Sequence, residues 1–170
     1  RGDLLRPEGD DAAILRMGTH RQVISTDHLR GFVEDPVAMT RIAAVHALGD
    51  IWAMGAAPQS ALVQLVLPRM SPDLAERSLR EITQTAQEVF AAEGAAILGG
   101  HSTFGAEFTI GFTVTGLCDA EPVTLAGARA GDALIMTKPI GTGVIMAAEM
   151  QLKAPGGVVL VDEAQRVADA

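Results

Sequence analysis

The pattern of hydrophobic and polar positions along the chain predicts alternating strands and helices. From Phe108 to Thr115 apolar and polar residues alternate strictly, which predicts a strand with one buried face. From Pro72 to Glu93 the apolar residues recur at helical spacing, and Ser71 is the predicted N-cap. The continuous apolar run from Ala61 to Leu67 predicts a strand covered on both faces. These segments together predict an α+β domain.

Shorter apolar segments predict the remaining elements. The further predicted strands are Ala12–Leu15, Gln22–Asp27, Ala95–Leu98 and Ala133–Thr137, and the further predicted helices are Val144–Leu152 and Val158–Ala170. The strand Gln22–Asp27 is expected to end at Asp27, and the strand Ala95–Leu98 is expected to run into a glycine loop.

One stretch, from Met39 to Pro58, is almost entirely apolar and predicts a helix that is buried on most sides and stops near Gly55, with Pro58 preventing its continuation. Asp35 is its expected N-cap and Pro36 its first helical residue. Asp50 lies within this stretch, and a buried carboxylate is costly unless it is paired, hydrogen-bonded or bound to a cation. His46, four residues earlier, shares its face. Two interpretations stay open: a structural acid held by backbone N–H groups or an arginine, and a metal ligand.

Other candidate residues lie at predicted turns and strand ends. Asp10 and Asp11 form a turn, and Asp27 closes a strand, although acids at turns are commonly only solvated. The sequence GGHS, Gly99 to Ser102, would let a ligand approach the backbone beside His101, or would simply be a turn with a surface histidine. The sequence TKPIGTG before the Val144 helix could hold an anion or be a plain strand-to-helix turn.

Composition narrows the function classes. The net charge is -8 and no basic cluster offsets it, which argues against binding nucleic acid or an anionic membrane, and implies that a polyanionic ligand would need cations. Hydrophobic residues make up 48% and aromatic residues 4%, so the core is expected to be aliphatic. Cys118 is the single cysteine, which rules out an internal disulfide, and no apolar run is long enough to span a membrane. A cytoplasmic location is the expectation.

Taken in order, five motifs resemble those of selenophosphate synthetase, also called selenide, water dikinase. They are GDDAAIL, ISTD, DPVAMTRIAAVHALGDIWAMGAAP, GGHS and TKPIGTG. Related synthetases and kinases of the superfamily, such as aminoimidazole ribonucleotide synthetase and thiamine-monophosphate kinase, share the aspartates but carry a different residue after the paired glycines. The resemblance extends from about Leu4 to Met150.

The resemblance implies a fold, a reaction and a set of site residues. The fold would be that of the aminoimidazole ribonucleotide synthetase N-terminal domain, with a mixed or antiparallel sheet covered by helices and a β-barrel formed in a homodimer. The reaction takes ATP, selenide and water to selenophosphate, AMP and phosphate, with several Mg²⁺ ions. The implied metal ligands are Asp11, Asp27 and Asp50, with Asp10 as a further candidate. The implied nucleotide-binding residues are Asp27, Asp50, Gly100, His101 and Ser102.

The sequence also departs from the family pattern. The family's reactive cysteine or selenocysteine, with its following lysine, precedes the GDDAAIL turn, and its second domain follows; we therefore expect a part of a longer protein. Residues 1–153 would be the ATP-binding domain and 154–170 the start of a truncated C-terminal region. His46 replaces the usual Asn and His28 a common aromatic, and either could alter nucleotide contacts. Cys118 matches no motif and is interpreted as a small buried hydrophobe. The alternatives are a non-catalytic nucleotide-binding or assembly domain, and a sister ATP-dependent synthetase or kinase.

Overall fold

The computed structural model describes residues 4–5, 10–153 and 157–168. Gly9, the first residue of the GDDAAIL motif, lies outside them, as do residues 154–156 at the predicted domain boundary. The strands are β1 (Leu4–Leu5), β2 (Ala13–Met17), β3 (His20–Arg30), β4 (Ala57–Pro68), β5 (Ala96–Gly105) and β6 (Thr109–Cys118). The helices are α1 (Pro36–Ala53), α2 (Pro72–Ala92), α3 (Thr142–Met150) and α4 (Gly157–Ala168), with a short 3-10 turn at Leu125–Gly127.

The strands form one mixed sheet in the order β1-β2-β3-β6-β4-β5. Four neighbouring pairs are antiparallel, and only β4 and β5 run parallel. The parallel pair is joined through α2, as a parallel connection requires. This confirms the predicted α+β fold with a mixed sheet covered by helices. The sheet is open in the single chain, with β1 and β5 at its edges, and the dimeric barrel remains a prediction.

Helices α1 and α2 cover one face of the sheet. Phe112 of β6 is fully buried there, and its ring packs 5.1 Å from that of Phe90 on α2. On β4, Ala61 and Leu65 are buried on this face, whereas Leu62 is 47% exposed on the other. The prediction that Ala61–Leu67 is covered on both faces is therefore wrong, because successive side chains point to opposite faces and helices pack on only one.

Helix α1 begins as predicted, since the Asp35 carboxylate accepts a hydrogen bond from the Val37 N–H at 2.9 Å. It ends near Gly55 as predicted, where Gly55 adopts a left-handed φ of 69° and β4 begins at Ala57. Its burial is less complete than predicted at the C-terminal end, where Trp52 is 40% exposed. The packed side of α1 is formed by these residues: Met39, Ile42, Ala43, Ala44, Ala47, Leu48 and Ile51.

Three strand predictions are corrected. Strand β3 continues to Arg30, so Asp27 lies within a strand and not at its end. GGHS lies within β5 and not in a loop, because β5 pairs with β4 from Ala96 to Gly105. Residues 133–137 have no regular secondary structure, and Leu134 and Ile135 are exposed. By contrast, β6 and α2 form close to their predicted bounds, and Ser71 caps α2 by accepting from the Leu74 N–H at 3.4 Å.

Helices α3 and α4 pack on each other, and α4 also contacts α1. The predicted boundary between residues 153 and 154 is untested and stays a prediction. Within the described ranges, none of the helices has the length and apolarity needed to cross a bilayer.

Candidate functional site

Four polar side chains come together where β3 faces α1, two from each element. Ser25 and Asp27 are two residues apart in β3, so both point to the helix-covered face, as the fully buried Val23 does. On α1, His46 and Asp50 are four residues apart and lie on one side of the helix. The sequence thus brings two carboxylates, a hydroxyl and an imidazole together from two elements.

The contacts within this cluster leave one carboxylate oxygen without a partner. The Ser25 hydroxyl donates a hydrogen bond to Asp50 Oδ2. Asp27 Oδ2 is buried and has no hydrogen-bond partner among the described residues. The imidazole Nε2 of His46 lies 3.9 Å from that oxygen, too far for a hydrogen bond. The His46 side chain is 56% exposed and that of Asp27 is 26% exposed, so the cluster opens to solvent on the histidine side.

Burial dominates the electrostatics of the cluster. It raises the pKa of Asp50, and the neighbouring Asp27 carboxylate raises that pKa further, while the hydrogen bond from Ser25 and the proximity of His46 act in the opposite direction. In the described part of the chain, neither carboxylate forms an ion pair with a lysine or arginine. Among the described residues, this excludes the interpretation in which an arginine holds Asp50.

The donor set suits a hard cation that brings other ligands with it. Among the described residues there is no group of three or more His, Cys, Asp or Glu side chains placed to hold a metal ion. Two carboxylates are nevertheless what Mg²⁺ commonly takes from a protein, since its remaining ligands are water and phosphate oxygens. The buried Asp27 Oδ2, which has no hydrogen-bond partner among the described residues, is the structural observation that fits such an ion.

The two other predicted acids are Asp10 and Asp11. Asp10 accepts a hydrogen bond from the Leu125 N–H at 2.7 Å, which gives it a structural role in a loop contact. Asp11 is exposed and lies two residues before Ala13, the first residue of β2, which pairs with Ile24 of β3. Of these two acids, Asp11 is therefore the better candidate for a further ligand.

The GGHS residues are separated from the aspartates by two strands. Asp27 lies opposite Phe112, Phe112 opposite Val63, and Val63 opposite Gly100. Three strand spacings place Gly100 roughly 14 Å from Asp27. Gly100, His101 and Ser102 border a groove of about 350 Å³ against Leu79 and Thr83 of α2.

His101 points to the opposite face of the sheet from Asp27, because its register partners are Gln64, Gly111 and then His28. His28 is exposed on that face. The single chain therefore does not bring His101 and the aspartates into one pocket.

Sequence reasoning missed Ser25. The alternation in QVISTD could have identified it, because residues two apart in a strand share a face. Cys118 is buried as predicted, and burial, together with the nearby Asp119 and Glu121, raises the pKa of its thiol. A raised pKa disfavours the reactive thiolate.

Comparison with known proteins adds a family and a fold. Residues 9–118 match the family model of the AIR synthase related protein, N-terminal domain. A selenide, water dikinase from Nitratidesulfovibrio vulgaris is 38% identical over 141 residues, which are 82% of this chain and 40% of that protein. The chain thus spans less than half the length of this curated relative.

Two solved structures share the fold. The protein tt0281 from Thermus thermophilus superposes with a TM-score of 0.73 at 23% identity, covering 94% of this chain and 53% of that one. The protein AaThiL, solved in complex with AMPPCP and TMP, superposes with a TM-score of 0.67 at 18% identity, covering 96% of this chain and 58% of that one.

Proposed function

The chain belongs to the AIR synthase related proteins through their N-terminal domain, and on that premise we propose that it is the ATP-binding domain of a selenide, water dikinase. In the whole protein the reaction would convert ATP, selenide and water to selenophosphate, AMP and phosphate. The relative named selenide, water dikinase, at 38% identity over 82% of the chain, supports this choice over the rest of the family.

The observation that carries the nucleotide site is the carboxylate pair Asp27 and Asp50. Asp27 Oδ2 is buried without a partner among the described residues, and burial raises the pKa of Asp50. Two such carboxylates are costly without a cation. A bound Mg²⁺ would reduce the repulsion between them and would give Asp27 Oδ2 a partner. A chain with a net charge of -8 also needs cations to hold a triphosphate.

The roles of the residues follow from their contacts. Asp27 and Asp50 would hold Mg²⁺, with the exposed Asp11 and, less directly, Asp10 as further candidates. Ser25 orients the Asp50 carboxylate by donating to Oδ2. When bound, Mg²⁺ supplies charge neutralisation for the phosphates, and phosphoryl transfer needs mainly positioning and such neutralisation. No general base from this chain is required.

Gly100, His101 and Ser102 are proposed to line the nucleotide at a distance from the metal. Support comes from the groove of about 350 Å³ beside Gly100 and Ser102, whose walls are largely apolar. Apolar grooves with a few polar groups suit a base. His101 is itself among the residues that line this groove, although its register partner Gln64 lies on the other face of the sheet.

A homodimer and a cytoplasmic location complete the proposal. The open sheet, with edges at β1 and β5, supports pairing between copies. The single buried cysteine supports a reducing compartment.

The test is calorimetric titration of the chain with AMPPCP, with and without Mg²⁺. We expect binding that requires Mg²⁺ and that weakens by roughly tenfold or more in Asp50→Asn, the scale of losing a metal-site group. Asp119→Asn, which removes an exposed carboxylate at the end of β6, is the matched control and should bind like the original chain. If a correctly folded chain binds no AMPPCP under either condition, the nucleotide site is refuted, and the alternative of a non-catalytic assembly domain is favoured.

A further inference from the structure

The side chains of His46 and Asp27 face each other but are too far apart to form a hydrogen bond. Their nearest atoms, Nε2 and Oδ2, are 3.9 Å apart, and Oδ2 has no hydrogen-bond partner within the described residues. Two ligands at ~2.1 Å from one cation lie about 3 Å apart when they are adjacent in its coordination shell. In the described geometry His46, Asp27 and Asp50 do not form a group of three placed to hold a metal ion, so an ion shared with His46 requires a movement. A movement of under about 1 Å would let one ion bind both Nε2 and Oδ2.

The histidine has the freedom to make that movement. Its side chain is 56% exposed and rises from α1 one turn before Asp50. Ala43 and Ala47, which flank it on the helix, are small and buried. Asp50 and Asp27 are instead held on the packed side, where the hydroxyl of Ser25 fixes one of the Asp50 oxygens.

Donor chemistry decides which ion gains from such a nitrogen. Mg²⁺ favours carboxylate, phosphate and water oxygens, whereas imidazole suits the iron to zinc series of first-row transition ions. Two carboxylates alone would leave the site to Mg²⁺. An added imidazole shifts the balance towards the transition ions.

We propose that His46 sets the metal selectivity of the Asp27–Asp50 site, adding an imidazole nitrogen that lets it hold a divalent ion of the iron to zinc series in place of Mg²⁺. This inference rests on the proposed function, since it concerns the same cation site. It assigns to His46 a role towards the metal, and leaves the nucleotide contacts of the site unchanged.

Competition between ions tests the selectivity. Calorimetry would measure the affinities for Co²⁺ and Mg²⁺ in the presence of AMPPCP for the original chain, His46→Asn and His28→Asn. We expect the Co²⁺ to Mg²⁺ preference to fall by roughly tenfold or more in His46→Asn, the scale of losing a metal-site group. His28→Asn is the matched control, because His28 neighbours Asp27 in β3 but is exposed on the opposite face. An unchanged preference in His46→Asn would overturn the inference.

Proton NMR of the Co²⁺-loaded chain, recorded without nucleotide, gives a direct readout. A coordinated imidazole shows a strongly shifted, exchangeable N–H resonance, which should vanish in His46→Asn and persist in His28→Asn. Absence of that resonance from the original chain, or its persistence in His46→Asn, would also overturn the inference. Mg²⁺-dependent AMPPCP binding together with either negative result would leave the proposed function standing, whereas loss of AMPPCP binding with the resonance present would refute only the nucleotide site.

Discussion

Asp50 carries its charge at a position that is unfavourable for the metal-free fold. Burial raises its pKa, and Asp27 adds repulsion from the same side. Between the ordinary carboxyl value and the raised value, the folded chain binds more protons than the unfolded chain, so the free energy of unfolding falls as the pH rises through the folded-state pKa. A residue that lowers stability in this way is often retained for binding.

Replacing Asp50 with Asn should therefore stabilise the chain when metal is absent. The amide keeps an oxygen that accepts from Ser25 but carries no charge, so the free energy of unfolding at pH 8 should rise by about 1 kcal/mol. The difference from the original chain should shrink towards pH 4, where Asp50 itself becomes protonated. Urea unfolding in the presence of a chelator would measure both, with Asp119→Asn as the control. A lower stability of Asp50→Asn at pH 8 would contradict this account.

Ser25 offers a second test at the same scale. Ser25→Ala removes the donor to Asp50 Oδ2, so we expect the pKa of Asp50 to rise further and the stability at neutral pH to fall by roughly 1 kcal/mol. Carbon NMR of the aspartate carboxyl groups would follow the titration. Ser25→Thr keeps the hydroxyl and should restore the original pKa of Asp50; failure of the threonine to do so would indicate that packing, and not the hydrogen bond, controls the carboxylate.

At the scale of elements, the sequence predicts what periodicity and capping determine. Strand β6 and helix α2 form close to their predicted bounds because their apolar positions repeat over many residues. The paired glycines of GGHS predict a loop because such pairs usually mark turns, yet pairing with β4 holds the segment in a strand. Residues 133–137 have a strand-like sequence, but a strand needs a partner, and none of the described strands pairs with them.

The two glycines of GGHS differ in a way that only the structure reveals. A methyl group on Gly100 would lie 2.1 Å from the Val63 carbonyl oxygen, whereas on Gly99 its nearest neighbour would be Leu62 Cδ2 at 3.9 Å. Gly100 is therefore required by the close approach of β4 and β5.

Gly100→Ala should consequently destabilise the chain by about 2–3 kcal/mol, in the range of overpacked positions, while Gly99→Ala should change stability by under about 1 kcal/mol. Thermal unfolding of both variants would measure the contrast. Equal effects would show that β5 does not approach β4 as described, and loss of AMPPCP binding in a stable Gly99→Ala variant would point to a nucleotide contact there.

At the scale of the whole molecule, the fold of the single chain assembles only part of the predicted site. Strand alternation places Asp27 and Ser25 on one face of β3, and helix periodicity places Asp50 and His46 on one side of α1, but only the packing of β3 against α1 brings these residues together. The separation of His101 from Asp27 and Asp50 depends on strand order, which places β6 and β4 between β3 and β5 and which no local pattern encodes.

The open face of the sheet is largely polar at its centre. The hydroxyls of Thr26 and Thr113 lie 3.0 Å apart, those of Ser60 and Thr115 lie 2.8 Å apart, and Gln64 donates to Thr113 at 3.2 Å. Leu62, opposite Thr113, is an exposed apolar side chain among them. Two copies meeting on this face would thus enclose a polar surface with a small apolar patch, and their association would depend on strand edges as well as on burial.

If a homodimer forms on this face, Leu62→Arg should separate it, because two facing copies would bring two new charges and two bulky side chains into the enclosed space. We expect sedimentation at micromolar concentration to give a dimer for the original chain and a monomer for Leu62→Arg. Gln84→Arg is the matched control, since Gln84 is exposed on the outer side of α2 next to Glu88 and adds the same charge far from the open face. A dimer that survives Leu62→Arg but is lost in Gln84→Arg would assign the contact to the helical side, and a monomer for the original chain would refute the homodimer at that concentration.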